Sequence, residues 1–191
     1  MKSVLSLSVF VAAAIAAKAA IPANAQWYTL QTKASVNTLS NLFLAAKDGK
    51  VGGFSGTRES AQVAGKFFTT SYSGAGTLSL HAGDDTHQLG LSGTNGLLKL
   101  VDLVNPSADT IPKDTPTEWS VFQIGQGGEV TVKDGQDVPT RKWVTYLETD
   151  GAYYVGLWDG VTPQPRTVAN ITLVATKSTA PAGPKMVKRF F

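Results

Sequence analysis

Between Trp27 and Thr176 the chain never sustains an apolar spacing of three and four residues; it alternates instead. The runs YTLQT, LFLAA, TLSLH, EVTVK, WVTYLE, YYVGL and NITLVA are short and are separated by Gly, Asp and Asn. A period of two suits strands with one face buried and one face wet, and it argues against a helical bundle. One stretch, TRESAQVAGK from Thr57 to Lys66, fits one or two helical turns or a loop equally well. Residues 104–117, with three prolines, read as a long surface loop. The expected fold class is all-β.

The alternation also repeats. KFFTTSYSGAGTLSLHAG (Lys66 to Gly83) matches EWSVFQIGQGGEVTVKDG (Glu118 to Gly135) in residue type at an offset of fifty-two, with Gly76/Gly128 and Gly83/Gly135 identical. Three dipeptides, Asp48-Gly49, Asn95-Gly96 and Asp150-Gly151, carry the signature of two-residue hairpins, in which both turn positions take positive φ. Their flanks correspond too: Leu89, Leu91, Leu98 and Leu100 fall on Val144, Tyr146, Tyr153 and Val155 at an offset of fifty-five. Each unit reads aromatic strand, Gly-led strand, strand, Asx-Gly turn, strand. Two units are continuous, and a third is assembled from Trp27 to Phe54 and Thr167 to Thr176. Three four-stranded units of about fifty residues, closed by the first and last strands, describe a β-trefoil. A β-sandwich or another barrel is the alternative, because alternation by itself produces echoes.

The first 25 residues, MKSVLSLSVFVAAAIAAKAAIPANA, have a positive start at Lys2, an apolar stretch and a small-x-small site at Ala23 to Ala25. They read as a secretory signal peptide, so residues 26–177 are expected to form one exported domain and 178–191 a flexible tail. No later segment reaches the length of a membrane-spanning helix. There is no cysteine, which excludes disulfide staples and thiolate chemistry. The formal charge of +3 misleads. Two of the 17 basic residues lie in the leader and three in the last seven positions, so twelve in the body face all 14 acidic ones. Nucleic acid is therefore not an expected partner.

Few residues suggest chemistry. His81 and His87, in HAGDDTHQ with Asp84 and Asp85, contain the right atoms for a metal, but Gly-Asp-Asp between strands is ordinary turn chemistry, and no metal or cofactor is expected. No Gly-x-Ser-x-Gly elbow is present. Carboxylates at Glu118, Glu129, Asp134, Asp137, Glu148 and Asp159 are available, but a catalytic pair would meet only in space. The chain is expected not to be an enzyme. A two-residue turn at Asp150-Gly151 places Trp143 opposite Trp158, with Tyr154 on the same face and Val144, Tyr146, Tyr153 and Val155 on the core face. Trp143, Tyr154 and Trp158 would then form a flat platform for a sugar ring; cover by a loop or tail, with the aromatic pair serving only to stabilise the hairpin, is the alternative. Asn170-Ile171-Thr172 is a glycosylation sequon, usable if Asn170 faces solvent.

YTLQTKASVNTLSNLFLAAKDGKVGG, IPKDTPTEWSVFQIGQGGEVTVKDG and RTVANITLVAT together resemble, in order and spacing, the fungal PhiA-like secreted cell-wall proteins. That resemblance implies a place in or on the cell wall and supplies no catalytic residues. The expected function is a secreted, non-catalytic wall or surface protein, structural or weakly associated with polysaccharide. A carbohydrate-binding, lectin-like module and a secreted effector or inhibitor are the alternatives. Oligomeric state is open.

Overall fold

The computed structural model describes residues 21–181. The leader up to residue 20 and the tail from 182 lie outside the described residues. Among the described residues the regular structure is strand, apart from a single short 3-10 turn at Asn37–Leu39, and turns and loops make up the rest. The stretch from Thr57 to Lys66 forms turns rather than a helix.

The strands are β1 (Trp27–Lys33), β2 (Ala45–Lys47), β3 (Lys50–Gly53), β4 (Phe67–Tyr72), β5 (Thr77–Ala82), β6 (His87–Ser92) and β7 (Leu97–Val104) in the first half. The second half adds β8 (Thr117–Trp119), β9 (Phe122–Ile124), β10 (Val130–Val132), β11 (Lys142–Leu147), β12 (Tyr153–Trp158), β13 (Ala169–Asn170) and β14 (Thr172–Ser178). Antiparallel pairing links them into one sheet that is nearly closed on itself like a barrel.

Two sets of pairings build it. Around the wall, β14 pairs with β1 over seven residue pairs, from Trp27↔Ser178 to Lys33↔Thr172. The wall continues through β1–β4 and β4–β5. β5 touches β9 at Leu78↔Phe122, β9 pairs β10, and the bridge Glu129↔Val174 returns to β14. The other set joins three hairpins. β2–β3, β6–β7 and β11–β12 meet through β3–β7, β7–β12 and β12–β3 contacts.

The alternating runs explain where the core sits. Leu30, Leu44, Val51, Phe67, Leu80, Leu89, Leu91, Phe122 and Leu173 are fully buried in one cluster that also takes in Trp143, Val155 and Leu157. A second cluster of Leu97, Val144, Tyr146, Ala152 and Tyr154 lies apart from it, flanked by Phe54, Trp158 and Val168. The sequence echo is present as backbone: Gly76 and Gly128 both take positive φ (64° and 87°), as do Gly83 and Gly135 (80° and 82°). The second copy is bent. Ser120 sits at φ 60°, where the chain leaves its pairing with β6 and takes up pairing with β5 and β10. Its buried hydroxyl is 2.7 Å from Ser79 Oγ and accepts from Gln88 Nε2 at 3.0 Å, which holds the unusual backbone in place.

Two of the three Asx-Gly turns behave as expected. Asp48-Gly49 (φ 51° and 74°) and Asn95-Gly96 (55° and 75°) are two-residue hairpin turns with positive φ at both positions. The third does not. At Asp150-Gly151 only the glycine has positive φ (77°). The Asp150 carboxylate accepts the Ala152 N–H at 3.0 Å, and Glu148 N–H donates to Ala152 O at 3.1 Å. The loop therefore holds one residue more, in the manner of a type I turn followed by a glycine bulge. The register becomes Leu147↔Tyr153, Thr145↔Val155, Trp143↔Leu157 and Lys142↔Trp158.

Where the hairpins meet, the backbones come very close. A β-carbon on Gly156 would lie 2.9 Å from Leu98 O and 2.9 Å from Leu97 Cδ1. Gly156→Ala is expected to lower stability by about 1–3 kcal/mol through overpacking, measured by urea unfolding. Gly151→Ala, which meets nothing in space but sits at positive φ, should cost about 1–2 kcal/mol through backbone strain alone.

Candidate functional site

The one-residue change of register rearranges the expected platform. Residues opposite one another in an antiparallel pair share a face, and neighbours along a strand do not. Trp143 now shares its face with Thr145, Val155 and Leu157, and points into the main core. It is 8 % exposed, and its indole N–H donates to Val130 O at 2.7 Å. Trp158 lies on the other face, half-buried beside the second cluster, with its N–H donating to Thr162 O at 2.8 Å. Tyr154 shares that second face with Val144 and Tyr146. The expected opposition of Trp143 and Trp158 is thus corrected, and so is the expected core face: of its four residues only Val155 lies in the main core.

What the second face builds instead is a row of rings capped by cations. Phe54 meets Tyr154 edge-on at 5.8 Å between centroids, and Tyr146 stacks on Tyr154 at 6.2 Å. Lys47 Nζ lies 5.9 Å from the Phe54 centroid, Lys50 Nζ 5.4 Å from Tyr154, and the Arg166 guanidinium 5.2 Å from Tyr146. A groove of about 260 Å³ opens beside them, bounded by Lys47, Lys50, Phe54, Asp150 and Tyr154. The Tyr154 hydroxyl donates to Asp150 Oδ2 at 2.6 Å. That hydrogen bond, ahead of the one from Ala152 N–H, holds the Asp150 carboxyl below its ordinary range. Burial first, and then Asp150 itself, push Tyr154 up to about 12. The groove thus brings together two aspartates, Asp48 and Asp150, two lysines, Lys47 and Lys50, and the Tyr154 phenol, which stays neutral at pH 7. Of the three residues expected to form a platform only Tyr154 borders this groove, and Phe54, Lys47 and Lys50 were not among them. Only the Asp48-Gly49 turn, which brings Lys47 and Lys50 directly opposite each other, signalled the last two.

The two histidines go to separate partners. His81 is 5 % exposed, stacks on Phe68 at 4.7 Å and 11°, and bonds Thr70 Oγ1 through Nε2 at 2.8 Å; its Nδ1 is 3.4 Å from Asp85 Oδ1. His87 Nδ1 lies 2.9 Å from Asp102 Oδ2. Asp84 Oδ1 accepts the Thr86 N–H, as turn chemistry requires. Among the described residues no group of three potential ligands is gathered for a metal ion.

Two of the scattered carboxylates do meet. Glu118 comes close enough to Asp134 to share a proton with it, although its Oε2 is buried without a hydrogen-bond partner, and Arg141 pairs with Asp134. Two carboxyls in direct contact cannot both ionise cheaply. Burial first, then the hydrogen bond and charge of Asp134, push Glu118 up to about 7. Burial also pushes Asp134 upward. The hydrogen bonds from Arg141, from the Gln136 N–H and from Glu118 outweigh it and hold Asp134 below its ordinary value. The proton therefore favours Glu118, whose O–H donates a hydrogen bond to the Asp134 carboxylate. A pair in direct contact leaves no space for a glycosidic bond, since cleavage needs carboxyls about 5–9.5 Å apart.

Asn170 is exposed, opposite Val144 on β13, and Thr172 is exposed beside it, so the sequon meets the steric condition for a glycan.

Two outcomes follow from this geometry. Trp143→Ala is expected to destabilise the fold by about 3–5 kcal/mol in denaturant unfolding, as for any large buried ring. The Glu118 proton sets a pH dependence as well. A raised carboxyl stabilises fully below its unfolded value of 4.5, and that stability is lost as pH climbs through about 7. Asp134 acts oppositely, its contribution fading as pH falls below 3.8. The contribution of Glu118 should therefore decline from pH 4.5 to pH 7 by about 1–2 kcal/mol after allowance for solvent screening, against an opposite trend from His81, whose pKa is lowered first by burial. Thermal melts of Glu118→Gln should show that decline removed. No family model, curated protein or solved structure matches this chain.

Proposed function

We propose that this is an exported, non-catalytic protein of the cell surface or wall, related to the PhiA-like proteins, that associates weakly with polysaccharide through the groove of Lys50, Phe54, Asp150 and Tyr154. The observation that carries this reading is the half-buried Phe54 beside the groove, backed by the buried rings of Tyr154 and Tyr146, with carboxylates and ammonium groups at the groove's edge. Aromatic faces take the C–H side of a sugar, and the charged groups take its hydroxyls. Weakness has a physical source. Lys50 and Lys47 already lie over Tyr154 and Phe54, so a sugar must displace contacts worth about 0.5–1 kcal/mol each. Affinity is then expected in the range of about 1 mM per unit, and wall retention would come from many weak sites along a polymer.

The leader MKSVLSLSVFVAAAIAAKAAIPANA supports export, with Asn170 as a glycan acceptor. The barrel is best read as a β-trefoil. Support comes from a six-strand wall of β1, β4, β5, β9, β10 and β14, and from three hairpins that pair with one another in a triangle.

Co-sedimentation of the protein, from Gln26 onward, with insoluble β-glucan and chitin tests the groove. Lys50→Glu should alter retention by severalfold at unchanged melting temperature. Retention that ignores this substitution would leave only a passive structural role, and saturable micromolar binding of a soluble oligosaccharide would instead mark a lectin proper. Mass spectrometry of secreted protein should find Gln26 at the N-terminus.

A further inference from the structure

A second, smaller pocket of about 80 Å³ adjoins the aromatic groove, bounded by Lys50, Lys99, Val101, Tyr146, Glu148 and Tyr154. The two openings share Lys50 and Tyr154. Register explains why two lysines meet here. Lys50 lies opposite Val101 in the β3–β7 pairing, and Lys99 precedes Val101 by two residues. Lys50 and Lys99 are therefore diagonal neighbours on one face, about 7–8 Å apart along the backbone. Among the described residues neither forms an ion pair or donates a hydrogen bond; Lys50 Nζ has only the Tyr154 ring, at 5.4 Å. The nearby acids are engaged elsewhere. Glu148 pairs with Arg166, and Asp150 accepts from Tyr154 Oη and the Ala152 N–H. Asp48 borders the outer groove and not this pocket.

Tyr146 adds a third donor. The residue is 3 % exposed, and its hydroxyl makes no hydrogen bond among the described residues, yet the oxygen is not sealed from solvent. Buried polar side chains seldom go without a partner. Burial first raises this phenol well above its ordinary value, so at neutral pH it keeps its proton and can donate. Two ammonium groups and a phenol offer hydrogens and no lone pair to match, which calls for an anion that accepts from several donors at once. The volume is that of a few water molecules; it suits a carboxylate and is too small for a sugar ring. We infer that this pocket takes the carboxylate of a uronic acid unit whose ring lies in the adjoining groove, with Lys50, Lys99 and the Tyr146 hydroxyl as donors. Such a preference rests on the groove function proposed above and names the class of polysaccharide it favours. A neutral sugar that displaces Lys50 from Tyr154 loses that contact, whereas an acidic one recovers it as an ion pair.

Trigalacturonate is a suitable probe, with its methyl ester as the uncharged control. Titration of the intact protein, followed by the tyrosine ring resonances in ¹H–¹³C spectra, should give about tenfold higher affinity for the acid than for the ester at about 50 mM salt. That gap should close at about 1 M salt, where charges are screened within a few ångströms. Lys99 is exposed and lies outside the outer groove. Lys99→Gln should therefore remove most of the gap and leave both the ester's affinity and the melting temperature unchanged. Tyr146→Phe should narrow the gap severalfold. Equal affinity for acid and ester, or a gap that survives Lys99→Gln, would overturn the carboxylate pocket and leave the groove standing. Inorganic phosphate that displaces the acid at equal concentration would overturn it too, marking a site for free anions. Binding of neither sugar would overturn the groove function along with it.

Discussion

The structure depends first on the pairing of β1 with β14. Seven consecutive residue pairs join the two ends of the domain, and they do so in a chain without a disulfide. Closing so long a loop costs little more than closing a short one, because the entropy grows only with the logarithm of length. A ladder of this length, with Leu30, Leu173 and Ala175 buried beneath it, can meet that cost. Closure also hides two edges that would otherwise offer unpaired N–H and C=O groups to other chains. At its far end the last ribbon turns at Ile171, whose N–H donates to Trp143 O at 2.9 Å, and continues as β13 along β11. One ribbon thus ties the wall to the third hairpin.

The two openings lie at the three hairpins, each of which pairs with the other two and ends at a turn. The β2–β3 hairpin is shared. Lys50, on one side of it, borders both the aromatic groove and the smaller pocket of Lys99 and Tyr146. The Asp102 N–H donates to Gly49 O at 3.0 Å, so the turn that shapes the hairpin is also tied to β7, which carries Lys99. The Glu118–Asp134–Arg141 group lies elsewhere, at the corner where Ser120 bends the chain, and its contacts are internal ones. A shifted carboxyl does not by itself mark a reactive site.

Much of the architecture was legible along the chain. Alternation announced the strands, and Asp48-Gly49 and Asn95-Gly96 announced two hairpins with the correct register. The echo of Gly76 with Gly128 and of Gly83 with Gly135 corresponded to matching positive-φ positions. The aromatic platform was not legible. Asp150-Gly151 has the same letters as Asp48-Gly49, but its aspartate bonds Ala152 N–H and Tyr154 Oη, and the loop takes an extra residue. Since side chains alternate, that single residue sends Trp143 inward and leaves Trp158 on the opposite face.

The amino-acid sequence by itself determined an all-β chain, the places where it turns, and the absence of covalent cross-links, because these follow from local periodicity and from which residues accept positive φ. Only the tertiary structure decided which face of each ribbon is buried and which charges meet. Lys50 over Tyr154, Glu118 on Asp134 and His87 on Asp102 are pairs of residues 104, 16 and 15 positions apart. Their meeting depends on register and strand order, and those are set by the closed sheet as a whole rather than by any segment of it.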